Sequence, residues 1–362
     1  MKSKETKQLY QMRLDDQKGM PSFDPTNLIH RISDLSSQCL LAWQQSRLLQ
    51  LSNGYSSAKE VAIVGMGGSA IAGDLLKDLL RDQTNRSISV IRNRTLPAWI
   101  DKNTLVIAVS YSGNTKETLS AFNEAINRGC QLISSTSGGL LQQRSQILNI
   151  PIVSIDFVGE PRSAIGYGLL NLLSIFDKLK FIPRQNKFVI EAIKKLALTD
   201  KSWNNEVPTN QNYAKQLAID IGHNIPIIIG SGLFTSAAQR WKTQFNENSK
   251  ALAMWETVPE SEHNTIESFS ISNGIDNSTF PILLEHHPRI SRDPSPFRKV
   301  KKVLEVAKMP YALVKGPATN NLSQLLWVIH LGDYISYYLA VLRGVDPSPV
   351  PNITKLKVDG TA

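Results

Sequence analysis

Cysteine is nearly missing. Cys39 and Cys130 are the only two in 362 residues, far apart and in no CxxC pair, so neither a disulfide framework nor a thiolate metal site is suggested. Both read as buried or incidental thiols. No apolar stretch approaches the ~20 residues that span a bilayer, and the opening MKSKETKQLYQMRLDD lacks the apolar core of a secretory signal. A cytoplasmic location and no membrane partner are the expectations. No low-complexity tract is present, and order is expected throughout apart from the ends. HExxH and His clusters in ligand spacing are also missing, so no metal site is predicted.

What is present favours two domains, because 362 residues exceed one typical core and suit units of roughly 100–200 residues each. The net charge of +9 favours anionic partners, whether nucleic acid or phosphorylated metabolites. The basic residues are spread, however. Only FRKVKK (Phe297 to Lys302) and KLK near the end cluster, and the first has the spacing of a solvated helix face, so no nucleic-acid partner is expected.

Residues 24–50 have helical spacing and open on Asp24 and Pro25, a favourable cap and first-turn pair. From Val61, the apolar runs VAIVG, ISVIRN, TLVIAVS, QLISST and PIVSID alternate with helical stretches, and continuous apolar strands of this kind belong to parallel sheets buried on both faces. A loop rich in Asn, Thr and Pro around 199–212 relaxes the pattern, and the domain boundary is placed near it and the helix before it. Beyond it IPIIIGSG, ALAMWETV, TFPILLEHH and YALVKGP read as strands, with helices at about 234–249, 296–309 and 320–342. IIIGSGLFTSAAQRW repeats the scheme of AIVGMGGSAIAGDLL, a strand running into a glycine turn with a hydroxyl residue and then a helix. The expected organisation is α/β, with an N-terminal helical segment (1–56), a first parallel-sheet domain (57–185) and a second (186–362).

Gly65, Gly67, Gly68 and Ser69 fall where a strand ends and a helix begins. Missing side chains and unpaired N–H groups there suit an anion, or alternatively serve only close packing. Gly65, Gly67 and Ala70 also match GxGxxA, but the next strand ends in IRNRT without the acid that a dinucleotide fold needs, leaving Arg92 or Arg94 for a 2′-phosphate. No GKS or GKT follows the glycines. TLVIAVSYSGNTKETLSAF discriminates better: Ser110, Ser112, Gly113, Asn114 and Thr115 line up neutral donors before a helix, suited to phosphate oxygens. The alternative is a hydroxyl-rich turn in which Asn114 or Thr115 merely caps the helix.

GMGGSA, then SYSGNTKET, then TSGG (Thr136 to Gly139), is very similar to the first half of a sugar isomerase (SIS) domain. EPRSAIGYGL (Glu160 to Leu169), RWKTQFNENSK (Arg240 to Lys250), ETVPESEHNTIESF (Glu256 to Phe269) and YYLAVLRGVDPSPVPNITKLK (Tyr337 to Lys357) follow. In that order the segments resemble the bifunctional phosphoglucose/phosphomannose isomerases, over roughly Asp24 to Lys357. The resemblance implies two SIS-type, flavodoxin-like parallel-sheet α/β/α sandwich domains. It implies interconversion of glucose 6-phosphate or mannose 6-phosphate with fructose 6-phosphate through a cis-enediol, and no cofactor. Residue by residue, it implies that Gly68, Ser69, Ser110, Ser112 and Thr115 hold the phosphate and that Arg162 faces the reacting carbons. Glu247 would be the base between C1 and C2, and His263 would assist ring opening from the partner subunit of a homodimer. The active-site lysine falls at Lys355 or Lys357, in a tail closing over the site. Where the family often carries a threonine that helps the mannose reaction, VDPSPV offers Ser348, which keeps the hydroxyl and loses the methyl.

The chemistry is independent of the family. An aldose–ketose interconversion needs one carboxylate to take and return a proton α to a carbonyl, and an acid–base group for the ring oxygen. Helix 234–249 puts Phe234, Ala237, Ala238, Trp241 and Phe245 on one stripe, with Glu247 far from it, so by spacing alone Glu247 is a solvated glutamate. His263 is by the same measure a surface histidine, and a dimer partner covering that face would reconcile polar placement with catalysis. His286 and His287 are adjacent and would point apart from one strand, which argues against a paired site. Two rivals stay open: a phosphosugar sensor without catalysis, and an NADP-dependent dehydrogenase.

Overall fold

Every apolar run read as a strand is one. The computed structural model describes residues 4–269, 278–287 and 295–358. Along them lie α1 (Lys4–Asp15), α2 (Leu28–Ser33), α3 (Leu35–Ser46), β1 (Glu60–Val64), α4 (Gly67–Leu80), β2 (Ser87–Ile91), β3 (Thr104–Ser110), α5 (Lys116–Asn127), β4 (Gln131–Thr136), α6 (Gly139–Ile147), β5 (Ile152–Ser154), α7 (Ile165–Lys178), α8 (Asn186–Trp203), α9 (Tyr213–Ile221), β6 (Ile225–Ser231), α10 (Thr235–Glu247), β7 (Met254–Val258), β8 (Thr279–Glu285), α11 (Arg298–Val306), β9 (Ala312–Lys315), α12 (Asn321–Arg343) and α13 (Pro351–Val358). The chain separates into two compact units. The first holds Asp34–Lys195 with Asn321–Ser323, and the second holds Met1–Ser33, Leu196–Asn320 and Gln324–Ala362.

The first unit is built on a parallel sheet of order β2-β1-β3-β4-β5, with Val61 level with Ile88 on one side and Leu105 on the other. All of β3 is buried, as expected of a central strand covered on both faces. Alternate residues Ala62, Val64, Val106, Ala108 and Leu132 share one core with Leu119, Phe122 and Leu141 of α5 and α6. α7, apolar nearly all round and buried from Ile165 to Asp177, packs on α3 and α4.

The second unit repeats the plan with one strand fewer. Its parallel sheet runs β7-β6-β8-β9, and Ile227, Ile229 and Leu283 pack against Phe297, Val300 and Leu304. On α11, Val300 and Leu304 are buried while Arg298, Lys299 and Lys302 are exposed, so the basic cluster is indeed a solvated helix face. α12 corrects the expectation that no apolar stretch approaches bilayer-spanning length: it is 23 residues long and apolar enough, and 94% of its apolar window is buried. His330 and Asp333 interrupt the run, which is why it does not stand out.

The N-terminal helices also differ from expectation. Residues 24–50 hold two helices, and the first opens at Leu28 rather than Pro25. Asp24 caps it from further back, its Oδ1 accepting the Leu28 N–H at 2.8 Å and its Oδ2 the Ile29 N–H at 3.0 Å. α1 is held through Asp15, whose Oδ1 accepts from the Thr209 N–H (2.9 Å) and from the buried Lys215 Nζ (3.2 Å).

His330 of α12 is fully buried, with Nε2 3.1 Å from the Ile32 carbonyl and its ring against Trp203 and Tyr334 at centroid distances of 6.0 and 4.8 Å. Burial pushes its pKa down, outweighing the upward pull of Asp333 and Asp200. The folded chain therefore holds the ring neutral, while the unfolded chain protonates it near pH ~6.5. Its stabilisation is complete above that pH and is lost as pH falls below it, at about 1.4 kcal/mol per pH unit. Urea midpoints are expected to fall accordingly from neutral to mildly acidic buffer. His330→Gln keeps a donor for Ile32 and cannot charge, so it should flatten the slope; an unchanged slope would place the titration elsewhere.

Candidate active site

In the first sheet the chain leaves β1 to one side and returns as β3 on the other, and in open α/β sheets ligands bind outside the carboxyl ends of the strands at such a switch point. Gly65 to Ser69 and Ser110 to Thr115 are the two loops that emerge there. They are joined directly, since the Tyr111 N–H donates to Ser69 Oγ at 3.3 Å.

No side chain of the donor loop caps α5, the helix that follows it. Thr115 holds the cap position of α5 without a side-chain bond to the helix, and its Oγ1 instead lies 3.0 Å from Ser110 Oγ. Asn114 Oδ1 accepts the Leu140 N–H of α6 at 3.0 Å, and Ser112 Oγ accepts the Asn114 N–H at 3.2 Å. α4 likewise begins without a side-chain cap. Two helix N-termini with their positive dipole ends therefore open on one crevice.

The loop after β4 closes the floor. Gly113 has φ +67°, and a Cβ on it would stand 1.8 Å from the Gly138 carbonyl oxygen, so only glycine lets the two loops meet. Ser137 donates its N–H to the Tyr111 carbonyl at 3.1 Å.

Arg162, buried at 5% exposure, lies on a 3-10 turn, Pro161–Ser163, that leads into α7. The turn touches the first loop: a Cβ on Gly68 would stand 3.2 Å from the Pro161 oxygen and 3.3 Å from Arg162 Cα. The segment that leads into the turn is tied as well. Tyr111 donates its hydroxyl to the Phe157 carbonyl at 2.8 Å and accepts the Gly159 N–H at 3.3 Å. Nothing in the sequence singles out Tyr111, an aromatic between two hydroxyl residues. Thus the first unit brings together Gly68, Ser69, Ser110, Ser112, Thr115 and Arg162.

The second unit carries the others. Half-buried Glu247 ends α10, and its carbonyl accepts from Lys250 Nζ, which also donates to Pro347 O at 3.3 Å and so brings the residue before Ser348 alongside. Asn248 Nδ2 and Ser249 Oγ bond Ser336 of α12 at 2.9 and 2.6 Å, fixing the segment. Ser348 is itself buried, its Oγ within 2.5 Å of Thr26 Oγ1 and 3.3 Å of Arg31 Nη2. Exposed His263 ends a 3-10 turn, Glu260–His263, and no hydrogen bond joins it to Glu247 among the described residues. Lys355 and Lys357 are exposed on α13.

The repeated glycine loop keeps the scaffold but not the Gly-Ser pair. Leu233 and Phe234 stand where the first loop has Gly68 and Ser69, and the His286 ring stands 2.6 Å from where a Gly232 Cβ would be. His287 is exposed. Both arginines of the dinucleotide alternative face carboxylates, Arg92 with Asp74 and Arg94 with Glu117 at 3.4 Å.

A family model described as the bacterial phospho-glucose isomerase C-terminal SIS domain matches residues 210–359, and one described as the SIS domain matches residues 54–154. The bifunctional phosphoglucose/phosphomannose isomerase of Caldicellulosiruptor bescii is 34% identical over 341 residues, which cover 91% of this chain and 98% of that protein. The one of Thermoplasma volcanium is 34% identical over 300 residues, 82% of this chain and 90% of that protein. Among solved structures, a hypothetical protein from Thermus thermophilus shares the fold, with a TM-score of 0.72 at 15% identity over 98% of this chain and 94% of that one. Similarity at this level over nearly the whole length of such relatives is that of a common family: the chain belongs to the bifunctional phosphoglucose/phosphomannose isomerases.

Proposed function

We propose that the chain interconverts glucose 6-phosphate, and also mannose 6-phosphate, with fructose 6-phosphate through a cis-enediol. The observation that supports this most is the crevice between β1 and β3, where two helix N-termini and a group of hydroxyls stand beside buried Arg162 in a chain of this family. Ser69, Ser110, Ser112 and Thr115, with the Gly68 N–H, offer neutral donors to the phosphate oxygens. Arg162 stabilises the enediolate with its fixed fork. Glu247 takes the proton from C2 of the aldose and returns it to C1 while the C2 hydroxyl proton passes to O1, so C2 is oxidised as C1 is reduced and no external redox partner is needed. His263 of the partner subunit assists ring opening, and the working form is a cytoplasmic homodimer. Lys355 and Lys357 lie about 200° apart around α13, so one of them and not both faces the substrate. Ser348 supplies the hydroxyl for rotation about C1–C2 in the mannose reaction. The two SIS domains are residues 57–185 and 186–362.

A coupled assay of both aldose phosphates side by side tests the reading, and conversion of each to fructose 6-phosphate is expected. Calorimetric binding without turnover would instead favour a phosphosugar sensor. Gly113→Ala is expected to weaken sugar phosphate binding about tenfold or more, since the left-handed backbone alone costs an alanine about 1–2 kcal/mol and the Gly138 carbonyl must also retreat. Unchanged affinity by calorimetry would remove this loop from the phosphate site.

A further inference from the structure

Tyr111 sits inside the donor loop without being one of the donors. Ser110 and Ser112 flank it, its N–H goes to Ser69 and its carbonyl takes the Ser137 N–H, so its backbone is fixed to the loops after β1 and β4. Its phenol then reaches outward to a third segment. The hydroxyl donates to Phe157 O (2.8 Å) and accepts from the Gly159 N–H (3.3 Å), and the ring meets Phe157 edge-on with centroids 6.4 Å apart. Between the two tied residues, Val158 is 93% exposed. Burial raises the phenol pKa more than the Gly159 N–H lowers it, so the hydroxyl keeps the proton it donates. Two residues past Gly159 begins the turn that seats Arg162 against Gly68.

We propose that Tyr111 is a positioning residue for the isomerisation: its hydroxyl fixes the Phe157 to Glu160 segment and thereby sets Arg162 relative to the phosphate loop. The proposal rests on the reading of Arg162 as the group facing the enediolate. A residue that positions another by an ångström can be worth up to about 10²-fold in rate without touching substrate.

The test is a kinetic cycle of four full-length proteins: wild type, Tyr111→Phe, Arg162→Gln and the double variant. Tyr111→Phe keeps the ring, the backbone bonds and every phosphate donor. It is expected to lower kcat about tenfold with KM for the sugar phosphate within about twofold. In the Arg162→Gln background the same substitution should have no further effect, because the group it positions is gone. An unchanged kcat in Tyr111→Phe, or the same fractional loss in both backgrounds, overturns the positioning role while leaving the site reading intact. Wild-type kcat in Arg162→Gln overturns both. Should Tyr111→Phe fail to fold, amide exchange of the wild-type protein decides: slow exchange of the Gly159 N–H is expected, and exchange as fast as that of Val158 overturns the proposal.

Discussion

Glu247→Gln is expected to lower kcat by about 10²–10⁴-fold, the usual worth of a positioned general base, with sugar phosphate affinity little changed. The substitution is isosteric and the backbone that carries it is held independently of the carboxylate. Lys250 Nζ binds the Glu247 carbonyl and the Pro347 carbonyl, and Asn248 and Ser249 bond Ser336 of α12. The residues proposed to hold the phosphate belong to another part of the chain, so binding and proton transfer are expected to separate in this variant. Calorimetry gives the affinity, the coupled assay gives kcat, and solvent deuterium incorporation at C2 reports the proton step itself. Undiminished turnover, or deuterium exchange at the wild-type rate, would remove Glu247 from the role of base.

The strands were legible because parallel strands buried on both faces are written as continuous apolar runs, and β3 is buried along its whole length. Helix starts were less legible. Asp24 reads as a cap for the next residues, yet its carboxylate bonds Leu28 and Ile29, a choice made by a turn whose geometry no local pattern states. The donor loops were legible as hydroxyl and glycine spacing, while the alternative for the second, capping of α5, does not hold because Asn114 bonds the first turn of α6 and Thr115 lies against Ser110. Ser348 shows the limit: its hydroxyl partners Thr26 and Arg31 lie more than 300 positions away in sequence. Arg162 and Tyr111 belong to the same class, since burial of a guanidinium and the bridging of three loops by one tyrosine are products of tertiary packing.

The largest loss of stability is expected from Arg240→Ala, at about 3–5 kcal/mol. Arg240 and Asp333 face each other across α10 and α12 with side chains only 2% and 7% exposed, joined through Nη1 and Nη2 of the guanidinium, the second at 3.1 Å. Gln244 Nε2 adds a third bond to Asp333 at 2.7 Å. Removing the arginine leaves a carboxylate with one neutral donor in a site that water does not reach, and the cost is that of the orphaned charge rather than of the lost contact. The double variant Arg240→Met with Asp333→Leu removes both charges at similar volume. It strands the Gln244 amide, a penalty of about 1–3 kcal/mol, and should still be the more stable of the two. Urea denaturation of both proteins at neutral pH, with equal m-values, checks the order. A double variant less stable than Arg240→Ala would mean that the pair is favourable in its own right and not merely expensive to break.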